Sequence, residues 1–138
     1  MAKAAIVDSG VWIAAKHASD QYYGKAARII RAWNDNSISY VFITDYVVVE
    51  TANFLLRKTS FETALEAVKM LTESERVRVR YVDKLMHAAI MRLFRQYKGL
   101  SIADCSLIAL AEEEGVHTLF SFDAAFDTVK GIRRKETM

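Results

Sequence analysis

Four carboxylates stand where an isolated charge is costly. Asp8 closes the apolar run AAIV (residues 4–7) and is followed at once by Ser9 and Gly10. Glu50 lies inside the largely apolar segment 45–57, and Asp104 falls in the opening turn of a segment, 102–111, that is hydrophobic nearly all round. Asp123 follows the mostly apolar run 116–122. An unpaired carboxylate in such surroundings disfavours folding, and several together repel one another and raise each other's proton affinity. A divalent cation removes the conflict. An all-oxygen ligand set suits Mg²⁺ or Mn²⁺ better than zinc, which usually recruits Cys or His. An ion so held lowers the pKa of a bound water and offsets charge on a phosphodiester, so the chemistry expected is hydrolysis of a phosphate ester.

Each acid also has a plain structural reading. Asp8 can cap the turn at Ser9–Gly10, and Glu50 can reach solvent or pair with Lys58 or an arginine. Asp104 with Ser101 forms an S-x-x-D pattern resembling a capping box. Asp123 can cap the turn at Ala124 and Ala125, and Asp127, four residues on, either faces the same way or is exposed. The functional reading rests on all of them meeting at one place.

Other chemistry finds less support. His17, His87 and His117 lack metal-ligand spacing, and Cys105 reads as a small core residue. There is no phosphate-binding P-loop and no G-x-G-x-x-G fingerprint. The Asp8-Ser9-Gly10 turn has no second aspartate two residues on, which argues against a D-x-D phosphatase. A response-regulator-like acidic pocket would want a lysine near a late strand end, and the region around Ser121 offers none. Tyr22, Tyr23, Tyr81 and Tyr97 are dispersed and form no stacking module; Tyr22, Trp33 and Phe54 read as core rather than as a docking patch.

The elements that must position the acids follow from periodicity and caps, because the chain has no proline and five glycines. Strands are expected over 4–7, 38–43, 77–82 and 116–122, with a short charged edge strand over 131–134. Helical spacing covers 22–33, 61–72, 84–97 and 102–114, with a helical turn or short helix over 11–18. Segment 45–57 is two-sided: Val47, Val48 and Val49 favour a strand, whereas the tail ETANFLLRK favours a helix capped by Thr44, and the helix accounts for more of it. Ser60 or Thr59, Asp83 and Ser101 are further N-caps and Gly115 a C-cap. This alternation is that of an α/β fold with short parallel strands covered by helices. In such a sheet the C-terminal strand ends gather on one edge, which would bring Asp8, Asp104 and Asp123 together.

The 138 residues are expected to form one domain, with 52% hydrophobic and 26% charged residues excluding a disordered chain. A net charge of +2 does not by itself argue for nucleic acid. The basic runs Arg76/Arg78/Arg80, Arg92/Arg95/Lys98 and 130–135 read first as solvated faces. One cysteine rules out an internal disulfide, no apolar run reaches transmembrane length, and the N-terminus enters a strand pattern directly, so a cytoplasmic protein is expected.

Taken in order, IVDSGVWIAA (6–15), TDYVVVETANFLLRK (44–58), LSIADCSLIALAEEEGV (100–116) and TLFSFDAAFD (118–127) resemble the PIN-domain family, and within it the ribonuclease toxins of Vap-type toxin–antitoxin pairs. The resemblance implies a three-layer α/β/α sandwich with a short, mostly parallel central sheet. It implies four catalytic acids at Asp8, Glu50, Asp104 and Asp123, with metal held by Asp8, Asp104 and Asp123. Ser9, Ser121 and Asp127 would support them. It further implies Mg²⁺- or Mn²⁺-dependent cleavage of RNA, a homodimer, and a small cognate antitoxin. Arg57 and Lys58 are candidates to hold flanking phosphates. A non-catalytic binding domain of the same fold and a metal-dependent DNA nuclease are the alternatives. The segment KHASDQYYGKAARII (16–30) matches the family only in general helical character, which leaves substrate selection open.

Overall fold

The computed structural model describes residues 3–138. Five short strands form one parallel sheet in the order β3-β2-β1-β4-β5. They are β1 (Ala4–Val7), β2 (Tyr40–Thr44), β3 (Val77–Arg80), β4 (Thr118–Phe120) and β5 (Arg133–Lys135). The central strand β1 pairs Ile6 with both Phe42 and Leu119. Its Ala5, Ile6 and Val7 are buried, as a strand covered on both faces requires.

Six helices cover the sheet: α1 (Ser9–Ala15), α2 (Tyr23–Asn34), α3 (Asp45–Lys58), α4 (Phe61–Glu73), α5 (Lys84–Gln96) and α6 (Ile102–Glu114). The chain steps from β1 to β2 to β3 in one direction through α1–α4, then returns through α5 and α6 to β4 on the far side of β1. Right-handed crossovers therefore place the two helix sets on opposite faces. The result is a three-layer α/β/α sandwich. No helix among the described residues is long and apolar enough to cross a membrane.

Most elements follow the sequence pattern, and the differences have local causes. Segment 45–57 is helical, with Val47, Thr51 and Leu55 buried at i, i+4, i+8. Thr44 precedes this helix but makes no side-chain cap. Its hydroxyl meets Ser106 instead, at 2.8 Å. Strand β3 stops at Arg80, because the Val82 N–H turns out of the sheet to donate to Asp45 Oδ1 at 2.8 Å. Helix α1 starts at Ser9, two residues before the expected 11, because Asp8 is its N-cap. Strand β4 covers only 118–120 of the expected 116–122; the chain then turns to make Asp123 the cap of a 3-10 turn at Ala124–Thr128. The buried side of α5 is Met86, Ile90 and Leu93, while Phe94 is exposed.

The basic run on β3 is largely consumed by the fold. Arg76, just before the strand, donates to the carbonyls of Trp33 in the last turn of α2 and of Ile38 and Ser39 in the segment leading into β2, and its guanidinium lies over the Trp33 ring at 5.2 Å. Arg78 lies over Tyr40 at 4.8 Å, and Arg80 pairs with Glu113 and Asp83. On the opposite edge, Lys135 sits over Phe120, and Arg134 pairs with Asp127 and Glu136. Both open edges of the sheet thus carry long basic side chains, most of them paired or stacked.

Candidate active site at the sheet switch point

Strand β1 is where the chain's path across the sheet reverses, with β2 on one side and β4 on the other. Ligand sites of open parallel sheets form at this place, beyond the carboxyl ends of the strands. Asp8 stands there. The buried Trp12 fixes the end of β1 by donating Nε1–H to the Val7 carbonyl at 3.2 Å, and the Asp8 N–H donates to the Phe120 carbonyl at 2.9 Å. Asp8 Oδ1 accepts the Ser9 N–H at 2.8 Å and Oδ2 accepts the Ser121 hydroxyl at 2.8 Å. The capping reading of Asp8 is therefore correct for one oxygen, and the other faces the site.

Two serines connect Asp8 to its neighbours. Ser9 Oγ donates to Glu50 Oε1 in a short hydrogen bond and lies 3.5 Å from Asp8 Oδ1. Ser121 Oγ, while donating to Asp8, accepts the Asp123 N–H at 3.1 Å. Helix α3 thus supplies Glu50 and the loop after β4 supplies Asp123, each one serine away from Asp8. Asp104 arrives on α6 through a complete capping box. Ser101 Oγ accepts the Asp104 N–H at 3.0 Å, and Asp104 Oδ2 accepts the Ser101 N–H at 2.9 Å. That box is the structural role expected of an S-x-x-D pattern, and it also fixes the carboxylate.

Electrostatics show that the four acids share one neighbourhood. Asp8 is 8% exposed and its carboxyl is pushed up from 3.8 to about 7, first by burial and then by the Asp104 charge. The hydrogen bonds from Ser121 and the Ser9 N–H pull it back in part, and Glu50 adds a further upward push. Asp104 is also raised, first by burial, against its Ser101 hydrogen bonds and with Asp123 and Glu50 pushing in the same sense. The carboxylates oppose one another in pairs, and among the described residues no three Asp, Glu, His or Cys side chains close on a common point as a ready-made metal cluster.

The donor set nonetheless fits a hard cation in its chemistry. Glu50, Asp104 and Asp123 each commit one oxygen to a protein donor, and the second oxygen of each has no protein donor among the described residues. Their mutual repulsion is the kind of strain a divalent ion relieves, and the donors are oxygen alone.

The remaining site candidates fall at different distances from this centre. Arg57 lines a cavity of about 490 Å³ that runs along α3 past Glu50 to Ala103. Lys58, the last residue of α3, is exposed and does not line it. Asp127 is held apart, with both oxygens accepting from Arg134 at 2.9 and 3.1 Å. Its link to the site is indirect, since Arg134 also donates to the Ser121 carbonyl at 3.1 Å.

One connection escapes sequence reasoning altogether. Ser106 Oγ donates to the Ala103 carbonyl at 2.6 Å and lies 2.8 Å from Thr44 Oγ1, with both residues fully buried. A hydroxyl has one proton, so Thr44 is the donor to Ser106. This two-step chain ties the junction of β2 and α3 to the first turn of α6, and hence the helix of Glu50 to the helix of Asp104. The only signal in the sequence is a pair of hydroxyls inside otherwise apolar runs.

The fold has solved counterparts. VapC20 of Mycobacterium tuberculosis, described as a sarcin–ricin loop cleaving toxin, superposes with a TM-score of 0.79 at 23% identity over 89% of this chain and 92% of that one. The DNA-bound VapBC of Salmonella typhimurium gives 0.66 at 18% identity over 98% of each chain. FitAcB of Neisseria gonorrhoeae gives 0.62 at 18% over 94% of this chain and 95% of that one. At these identities the likeness is one of fold. No curated protein matches the sequence. The family model described as PIN domain matches residues 5–132, which take in all four acids and every strand except β5. The chain belongs to the PIN-domain family.

Proposed function

We propose that this protein is a divalent-metal-dependent endoribonuclease and the toxin of a type II toxin–antitoxin pair. The observation that carries the reading is Asp8. It is buried at the switch point, joined through Ser9 and Ser121 to the residues bearing Glu50 and Asp123, and opposed electrostatically by Asp104. A buried carboxylate held at this expense, in a place suited to ligands, is a candidate for chemistry rather than for stability.

Asp104 and Asp123, each through the oxygen without a protein donor, and Asp8, through the remaining lone pair of an oxygen that already accepts a hydrogen bond, would hold Mg²⁺ or Mn²⁺. When bound, such an ion supplies Lewis-acid charge and a more acidic water. The chain's own residues do the rest. Ser9 fixes Glu50 through one oxygen, leaving the second to orient the attacking water and accept its proton. Ser121 holds Asp8 and the Asp123 backbone together, so that the two move as a unit. Arg57, in the groove beside Glu50, contacts a flanking phosphate, with Lys58 one residue further along the helix. That the solved counterparts include toxin–antitoxin assemblies supports a small protein antitoxin as partner, and a homodimer is part of the same proposal.

The test is cleavage of an RNA panel, with matched DNA strands, by the natural chain and by Asp8→Asn. RNA cleavage that requires Mg²⁺ or Mn²⁺ and is lost in the variant is expected. Cleavage indifferent to both chelation and the substitution refutes the mechanism, and stable RNA binding with no turnover would point to a binding domain.

A further inference from the structure

A second cavity, of about 320 Å³, opens beside Asp8 and Asp123 and shares no lining residue with the groove that holds Arg57. Its volume lies at the lower end of the ~300–1,000 Å³ range of small-ligand sites, enough for one planar heterocycle. Three aromatic rings line it. Tyr22 and Phe122 stack face to face, with centroids 4.4 Å apart and planes 9° from parallel, forming a platform built before any ligand arrives. Phe54 comes from α3, its plane set by an edge contact to His17 at 6.4 Å. All three rings are half-buried, so each keeps a face or edge to offer.

The polar lining has one character. Besides Asp8 and Asp123, the cavity holds Asp20. Asp20 Oδ1 accepts the Tyr22 N–H at 2.8 Å, which fixes the side chain and leaves Oδ2 with no protein donor among the described residues. Apart from the Tyr22 phenol, every polar side chain here is a carboxylate, and a carboxylate only accepts hydrogen bonds. No Lys, Arg or His lines the cavity, so away from the ion that Asp8 and Asp123 would hold nothing in it attracts a phosphate. It fits a flat, neutral group that offers N–H donors along one edge.

We propose that this cavity is a nucleobase subsite. It stacks one unpaired base of a single-stranded RNA on the Tyr22–Phe122 platform and against Phe54, while Asp20 reads the donor edge of that base. Guanine, whose N1–H and N2–H₂ lie side by side, presents the best match to a carboxylate. Recognition of this kind requires an unstacked base with its Watson–Crick edge free, which a duplex does not supply. The proposal rests on reading the neighbouring acids as the RNA-cleaving centre: a base seated here belongs to a nucleotide next to the bond that is cut.

Gly10 provides the cleanest probe. It lines the cavity in the first turn of α1, and a Cβ added there meets no protein atom within 4 Å. Gly10→Leu therefore starts into open space and takes up room in the cavity, at a position where a helix tolerates a larger residue well. Steady-state kinetics use a short single-stranded RNA cut at one bond, and the same RNA made abasic at each flanking position in turn. Losing the seated base is expected to raise KM about tenfold, within the range of one base–aromatic stack, with kcat changed less than twofold. Gly10→Leu and Phe54→Ala are expected to raise KM on the intact RNA by a similar factor, and the abasic RNA is then no worse for either variant. Mn²⁺ affinity stays the same.

Binding is read separately, by quenching of a fluorescent guanine analogue that keeps N1–H and the exocyclic amine, placed at the seated position of the RNA, in chelator so that nothing turns over. Quenching by the natural chain that Gly10→Leu abolishes is expected. Abasic RNA tolerated at every position, or losses from base removal and from Gly10→Leu that multiply, overturns the proposal. So does a Gly10→Leu protein with unchanged RNA kinetics that no longer retains a protein partner, which would assign the cavity to a polypeptide segment. If the natural chain cleaves no RNA, the nuclease reading fails by itself. The quenching titration then still decides whether a base binds here.

Discussion

Replacing Asp8 by Asn should stabilise the metal-free protein while removing its activity. The Asp8 carboxyl is raised from 3.8 to about 7 in the fold. Between those two values the folded chain holds a proton that the unfolded chain has lost, so stability falls as pH rises through that window. At about 1.4 kcal/mol per pKa unit, the charged form costs on the order of 4 kcal/mol above pH 7. Asparagine keeps the acceptor for the Ser9 N–H but places an amide against Ser121, whose hydroxyl must find another acceptor; that forfeits about 1 kcal/mol. The net gain of about 3 kcal/mol corresponds to roughly 10 °C in Tm for a domain of this size. The assay is thermal melting of both proteins in chelator at steps from pH 4 to 8. The two melting temperatures should converge toward pH 4 and separate steadily as the pH rises toward 7, with the variant higher. Adding Mn²⁺ at pH 8 should raise Tm of the natural chain and leave the variant nearly unmoved. Equal melting temperatures at pH 8 in chelator, or a gap that widens toward acid, would refute the account of Asp8 as a carboxylate held against its preference.

The hydroxyl chain gives an ordered pair of effects. Ser106→Ala should cost about 2 kcal/mol in urea denaturation because it strands a buried Thr44 donor, Thr44→Val should cost less, and the double variant should fall short of the sum. Weaker Mn²⁺ binding by calorimetry should accompany both single variants. Arg76→Met should destabilise by about 2 kcal/mol, since the carbonyls of Trp33, Ile38 and Ser39 between α2 and β2 lose a charged donor, while RNA cleavage rates below the melting range stay the same. Gly115→Ala should cost about 1 kcal/mol in the same denaturation assay, because φ there is 66° and α6 ends in the left-handed region.

The architecture was legible because its signals are local and repeat. The buried strands are short apolar runs, and Asp83, Ser60, Ser101 and Gly115 cap where their residue types indicate. The ambiguous segment 45–57 is helical because three valines in a row do not outweigh a buried i, i+4, i+8 face. What one dimension could not show is how polar groups are shared. Thr44 looks like a cap and is instead a donor to Ser106, sixty-two residues away. Arg76, Arg78 and Arg80 look like a solvated basic face, yet Arg76 serves backbone carbonyls and Arg80 is paired with Glu113 and Asp83. Tyr22 and Phe122 are a hundred residues apart, so no stacking platform is visible along the chain. In the site, the four acids were singled out by their apolar surroundings, and Ser9 and Ser121 only by the family resemblance, whereas which acids those serines join depends on tertiary packing.

The arginines and lysines at the rims of the sheet carry a consequence for assembly. A strand at the margin offers unpaired amides to any passing chain, and long basic side chains along both margins obstruct a second copy approaching strand to strand. Growth of the sheet into a ribbon is thereby disfavoured, while Val49, Leu56, Phe61 and Leu85 on the helical layers stay open to water. Side chains that look wasted on short terminal strands act as guards of the sheet's margins.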